Sequence, residues 1–294
     1  MTPNPPDLSE ARLALYFGGR ELVIATRHGK EQVLGPLLQG ALGVHIRLPD
    51  AFDSDAFGTF TGEINRPGDP LETARAKCLA AMALTGCDLG IASEGSFGPH
   101  PRLPFVAGDT ELLLLVDRRL GLEVAAWSVS AQTNFKGQTL FHWDDLMAFA
   151  QQAGFPEHAL ILGEAEGDTD RTWLKGIQDW TSLRNSFERL AQSGSGVHVE
   201  TDMRACYNPM RQSVIRQAGE QLVAKLKVIC PGCGIPGFDV VRKERGLPCS
   251  DCGYPTAGVR SLHYRCGCCQ FQLEVKHPGG IIEADPGHCD RCNP

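Results

Sequence analysis

Apolar and polar positions change period several times along this chain, and each change marks an element. ELVIAT (Glu21–Thr26) is a short apolar run ending in the polar turn Arg27-His28-Gly29, which reads as a buried strand. From Lys30 onward Val33, Leu34, Leu37, Leu38 and Leu42 fall on one helical face, with Pro36 near enough to the start to be tolerated. VHIRL (Val44–Leu48) returns to a strand pattern, so strand, turn, helix and strand make a βαβ unit. A Gly-, Asp- and Asn-rich stretch follows (Asp53–Asp69), and then Leu71–Leu84 is built of strong helix formers behind Asp69-Pro70, an N-cap and first-turn pair.

Asp88–Phe97 predicts a strand running into a glycine-rich turn, and ELLLLVDRR with LEVAAWSVS predicts a hairpin turning near Gly121. A helix over Trp143–Ala153 and a strand over Ala159–Leu162 close this first unit, with the acidic run Gly163–Asp170 as its boundary. Residues 171–194 are expected to form one helix ending in Ser-Gly-Ser-Gly. After it, Pro209 opens a long helix whose positions Ile215, Ala218, Leu222 and Leu226 make one apolar stripe. The expected architecture is therefore an α/β N-terminal domain with a mixed sheet (11–167), a helical connector (168–229) and a cysteine-rich module (230–294).

Composition narrows the class. The 294 residues are 42% hydrophobic and 21% charged, ordinary globular usage that excludes disordered and fibrous chains. The longest apolar run, within Glu111–Val116, is too short to span a bilayer, so no membrane partner is expected. The opening residues show no basic stretch followed by an apolar core, and a cytoplasmic location is expected. Charge is uneven: residues 1–167 hold 12 Lys and Arg against 21 Asp and Glu, a balance of −9, whereas residues 168–229 stand at +2 and residues 230–294 at 0. An acidic first half does not suit a nucleic-acid surface, which needs clustered Lys and Arg.

Nine of the 12 cysteines lie between Cys230 and Cys292, and eight of these form four Cys-x-x-Cys pairs. In a reducing compartment that spacing signifies metal knuckles more readily than disulfides. Cys230/Cys233 and Cys249/Cys252 are 15 residues apart, and Cys266/Cys269 and Cys289/Cys292 are 19 apart, both within the zinc-ribbon range. Four thiolates close a tetrahedral Zn²⁺ shell, leaving no open position, so two structural zinc ions are expected in a double zinc ribbon. Sequential pairing of the knuckles gives two ribbons; interleaved pairing gives a cross-brace, and spacing leaves both open. Cys268 is the odd cysteine, and Arg242-Lys243-Glu244-Arg245 is the one basic finger through which the tail would meet nucleic acid; docking of a protein is the other expected role.

Three segments of the first domain carry candidate chemistry. In ATRHGKE a strand ends, a turn exposes backbone N–H groups and a helix starts at Lys30, a geometry that suits a phosphate. Glu72, Arg75 and Lys77 lie at the start of the second helix, and Glu94 stands at a strand end before Gly95. Two carboxylates from different elements can share a Mg²⁺ ion. Asp202, Arg204, Asn208 and Arg211 are dense polar residues before the long helix, expected as a cap and ion-pair network, with Arg204 able to reach a phosphate bidentately. Cys78, Cys87 and Cys206 are expected as buried small residues.

The order Ala25-Thr26 with Lys30, then Glu72-Thr73-Ala74 with Lys77, then Glu94-Gly95 resembles the inosine/xanthosine triphosphate pyrophosphatase superfamily, including its Maf-like and YjjX-like relatives. His28 stands where that superfamily has Asn, Thr73 where many members have Asn, and no Ser-x-Arg base-reading segment is evident. The resemblance covers residues 20–165 and implies a nucleotide-binding site at Thr26, His28, Lys30 and Lys77. It also implies that Lys30, Glu72 and Glu94 are catalytic, with Glu72 and Glu94 binding Mg²⁺ and polarising water. The whole chain is also similar to an uncharacterised bacterial domain family. The expected activity is metal-dependent hydrolysis of a nucleoside triphosphate to pyrophosphate; the alternative is an inactive α/β scaffold whose zinc tail binds protein or nucleic acid.

Overall fold

The computed structural model describes residues 5, 10–26, 28–50, 52, 69–165 and 173–294. The stretch at 53–68 and most of the boundary run at 163–170 therefore lie outside the described residues.

The βαβ unit forms as the periodicity predicts. β1 (Glu21–Ala25) leads through α2 (Glu31–Leu42) to β2 (His45–Arg47), which pairs with it in parallel. Gly43 takes the left-handed conformation that ends α2. α3 (Pro70–Thr85) starts as its sequence dictates: the Asp69 side chain accepts the Leu71 N–H, and Pro70 occupies the first turn. β3 (Leu89–His100) then enters beside β1, and β4 (Leu103–Asp117) and β5 (Leu122–Ser130) follow as antiparallel neighbours, giving a five-stranded mixed sheet of order β2-β1-β3-β4-β5. One face is covered by α1 (Glu10–Phe17), α2 and α6 (Pro209–Lys227), whose Ile215, Ala218, Leu222 and Leu226 pack on Ile24, Ile91, Leu113 and Leu115. On the other face α3 packs Ala74, Cys78 and Met82 against Val23, Ala92, Leu112 and Leu114.

Four expectations change. β3 does not turn at Gly95 but runs straight on to His100, pairing residue by residue with β4. Glycine is needed at 95 for close approach: a Cβ there would stand 2.4 Å from Glu111 Oε1 and 2.6 Å from Arg211 Nη2. Residues 173–191 are not one helix but β8 (Trp173–Ile177) and α5 (Trp180–Ala191). The helix at Trp143–Ala153, α4, is where its spacing put it, yet it and β7 (Leu160–Glu164) do not complete the first sheet. With β6 (Gly137–Leu140), β8, α5 and β9 (Val197–Thr201) they build a second, four-stranded antiparallel sheet of order β6-β9-β7-β8, backed by Leu146, Phe149, Leu183 and Phe187. The expected division near 167 thus separates β7 from β8, which pair with each other. Finally, 168–229 is not a helical connector: it supplies half of the second sheet and, through α6, one layer of the first.

The tail is a three-stranded antiparallel meander, β10 (Asp239–Arg245), β11 (Val259–Arg265) and β12 (Gln272–Lys276). It is seated on the first sheet. Lys225 donates to Asp239 (2.5 Å) and to the Ala125 carbonyl (2.8 Å), the Tyr16 hydroxyl donates to the Gly234 carbonyl (2.8 Å), and Ile229 and Ile235 pack on the main core. Among the described residues no helix is long and apolar enough to cross a membrane.

Candidate functional site

The eight knuckle cysteines gather into two groups of four, either of which could hold a metal ion: Cys230, Cys233, Cys266 and Cys269, and Cys249, Cys252, Cys289 and Cys292. Sulfur–sulfur separations are 3.6 Å (Cys230–Cys269), 3.7 Å (Cys233–Cys266), 3.9 Å (Cys249–Cys292) and 3.7 Å (Cys252–Cys289). A tetrahedron with Zn–S bonds of about 2.3 Å has edges of about 3.8 Å, so the spacing suits a shared zinc and is far too long for a disulfide. Each knuckle is closed by the same turn, in which the fourth residue after the leading cysteine donates to its carbonyl: Gly234, Gly253, Gln270 and Asn293 at 2.8, 2.9, 3.2 and 2.8 Å. Cys268 is exposed and belongs to neither group.

The pairing is interleaved, and the meander explains it. An antiparallel strand reverses the chain, so successive loops fall at alternate ends of the sheet. The first knuckle precedes β10 and the third follows β11, and the register Asp239↔Arg265 puts both at one end. The second lies between β10 and β11 and the fourth follows β12, whose Lys276 pairs with Ser261 at the other end. Two sequential ribbons are thus replaced by a cross-braced module. A third group, Glu244, His263 and Glu274, spans the same sheet. Its carboxylate is already engaged by Arg260, Ser261 and His263, which hold Glu244 down at about 2.

The second assembly lies where the parallel strands end. β1 pairs with β3 only as far as Ala25↔Ala92, so Ser93, Glu94 and Gly95 continue past the carboxyl end of β1, the usual place for a ligand crevice in an open α/β sheet. Alternation along β3 sends Ser93 to the α2/α6 face and Glu94 to the α3 face. There Lys30 donates to Ser93 Oγ at 2.6 Å and Lys77 pairs with Glu94 at 2.6 Å. From α6, Arg211 pairs through Nε with Glu111 Oε1 at 2.6 Å and also donates to the Met203 carbonyl. Asp109, two residues before Glu111 on the same face of β4, is 1% exposed, and neither of its oxygens has a hydrogen-bond partner. Burial first, and the neighbouring Glu111 second, push its carboxyl up to about 7. Burial and then the Arg211 charge push Lys30 down to about 8.

Charge counting defines what this cluster can accept. Lys77 and Arg211 each face a carboxylate, whereas Lys30, also buried, is bonded to a neutral hydroxyl and has no carboxylate at ion-pair distance among the described residues. With Asp109 close to neutrality at pH 7, the surplus is positive. A surplus cation at the first turn of a 12-residue helix attracts an anion.

Of the residues named from sequence, Lys30, Lys77 and Glu94 come together, and Lys30 feels the charges of the other two. Thr26 and His28 sit in the turn before α2, where the His28 N–H donates to Thr26 Oγ1 at 3.4 Å. Glu72 stands exposed in the first turn of α3. Because Glu94 is engaged by Lys77 and Glu72 faces solvent, the two do not form a ready donor set for Mg²⁺. The expected cap and ion-pair network before α6 is present: Asn208 accepts the Arg211 N–H, and Asp202 binds Arg204. Cys78 and Cys87 are buried as expected, but Cys206 is exposed. Sequence reasoning missed Asp109 and Glu111, although Asp109, Glu111, Leu113 and Leu115 share one strand face, so two acids extend an apolar stripe.

Comparison with protein families gives one match, to a family described as "Domain of unknown function (DUF6671)", over residues 77–294. The chain belongs to that family. No curated protein matches its sequence. The DUF6671 segment starts at Lys77 and takes in Glu94, Asp109, Glu111, Arg211 and both four-cysteine groups, while Lys30 and the βαβ turn precede it.

Proposed function

We propose that this DUF6671 protein binds the phosphate chain of a nucleoside triphosphate at the carboxyl end of β1 and releases pyrophosphate from it. The observation that carries the reading is Lys30: a buried ammonium at a helix start, beyond the end of a parallel strand, bonded only to the Ser93 hydroxyl and backbone carbonyl. The order of motifs that resembles the triphosphate pyrophosphatases supports the same site. In this reading Lys30 and the α2 turn hold the phosphate and stabilise charge as the bond to the leaving group breaks. Glu94, steadied by Lys77, orients the attacking water. Magnesium enters as part of the substrate, since Glu72 and Glu94 are not assembled to hold it, and no step is assigned to an ion held by the chain.

The ions in the two four-cysteine groups are proposed to be zinc, closed and structural, fixing a module too small to build a full core. The test of the activity is release of phosphate and pyrophosphate from a panel of standard and deaminated nucleoside triphosphates, comparing the wild type with Glu94→Gln and Lys30→Met. Turnover that falls at least a hundredfold in both variants is the expected result and names the base. No turnover by folded, zinc-loaded protein across the panel would overturn it in favour of a binding scaffold.

A further inference from the structure

Arg204 is left unused by the site above, yet it is held unusually firmly for a half-exposed arginine. Its guanidinium lies along Asp202, which is fully buried: Nε donates to Oδ1 at 3.0 Å and Nη2 to Oδ2 at 2.6 Å. The plane is stacked on the Tyr207 ring, with 4.5 Å from Cζ to the ring centroid. Gly176, at φ +75°, leaves room for both, since a Cβ there would stand 3.0 Å from Tyr207 Cζ and 3.2 Å from Arg204 Nη2. Only one edge of the fork is consumed. Among the described residues Nη1 has no acceptor, and the side chain remains 27% exposed.

The segment carrying Arg204 packs against the phosphate turn. Cys206, two residues on, is so close to Gly29 that a Cβ on the glycine would lie 3.2 Å from Cys206 Cβ, and Gly29 is the residue before Lys30. A fixed guanidinium offering a spare N–H edge beside an anion-binding turn suits a second phosphate, because its planar fork loses little freedom on binding.

We propose that Arg204 is a chain-length sensor of the same site: it contacts the outer phosphate of a bound polyphosphate chain, so that triphosphates bind in preference to single phosphates. This rests on the phosphate reading of the Lys30 turn. Calorimetric titration of the full-length, zinc-loaded protein with inorganic tripolyphosphate and with orthophosphate tests it, using wild type, Arg204→Lys, Tyr207→Leu and Lys30→Met. The lysine in Arg204→Lys can keep the Asp202 ion pair but has no second edge to offer. The expected result is that the wild type prefers tripolyphosphate by at least about tenfold, the scale of one charge-assisted hydrogen bond. Arg204→Lys should erase that preference while leaving orthophosphate binding unchanged, and Tyr207→Leu, with the ion pair kept and the stack lost, should erase part of it. Lys30→Met should weaken both ligands. If Arg204→Lys and Tyr207→Leu keep the wild-type preference, the length sensor is overturned while the phosphate site stands. If the wild type binds neither anion, the phosphate reading falls and takes the sensor with it.

Discussion

The charged cluster on the first sheet and the cysteine clusters of the tail both bury polar groups, by opposite means. In the tail every ligand is at most three residues from its knuckle partner, and a metal ion would supply the neutralising charge from outside the chain. On the sheet the neutralising charges are the chain's own and come from far away: Lys30 reaches Ser93, and Arg211 on α6 reaches Glu111 on β4. The tail should therefore fail when its ion is removed, and the sheet site when one partner of a pair is removed.

The largest effect expected is on the tail. Apparent zinc affinity in structural sites is about 10–16 kcal/mol, so chelation should melt β10–β12 while leaving the two other sheets folded, as seen by amide exchange. Interleaving sharpens this. Cys230→Ser with Cys249→Ser strikes both groups and should abolish both zinc equivalents by elemental analysis, whereas Cys230→Ser with Cys266→Ser strikes one and should leave the other. Sequential pairing would reverse the two results.

Next comes the Glu111–Arg211 pair, at most 1% exposed on either side. Arg211→Met leaves a buried carboxylate uncompensated and should cost about 3–5 kcal/mol in chemical denaturation. Replacing both partners, Glu111→Leu with Arg211→Met, should recover much of that loss, which would set a self-neutralised site apart from a metal-held one.

A smaller effect is expected from pH. The Asp109 carboxyl is raised to about 7 in the folded protein against 3.8 unfolded, so between those values the folded state holds the extra proton. Stability should then fall as pH rises from about 4 to about 7, and Asp109→Asn should flatten that slope. Lys30, lowered to about 8 from 10.5, works in the other direction, adding stability as pH rises from about 8 to about 10.5. The smallest effect belongs to Arg216–Glu220, an exposed pair four residues apart on α6, where Arg216→Ala should change stability by less than about 0.5 kcal/mol.

What could be read early follows from range. β1, α2, α3, α4 and α6 obey local rules of period, cap and proline position, and all were legible. The second sheet was not, because β6, β7, β8 and β9 are short and their pairing joins residues as far apart as Gly137 and Glu200. Residues 173–191 passed for one helix because Trp173–Ile177 carries no strict alternation, and its strand state is decided by β7 alongside. Lys30, Lys77 and Glu94 were found through local motifs; Asp109 and Glu111 were hidden in a strand whose acids gain meaning only when Arg211 arrives from α6.

By itself the sequence determined the eight cysteines as metal ligands, the βαβ unit and the helix starts, because knuckle spacing, hydrophobic period and capping act over a few residues. Only the tertiary structure decided which knuckles share an ion, which strands form which sheet and which cation lacks a carboxylate. Those outcomes depend on where a chain reversal places distant residues, and a charge becomes costly or useful only once burial has removed the water around it.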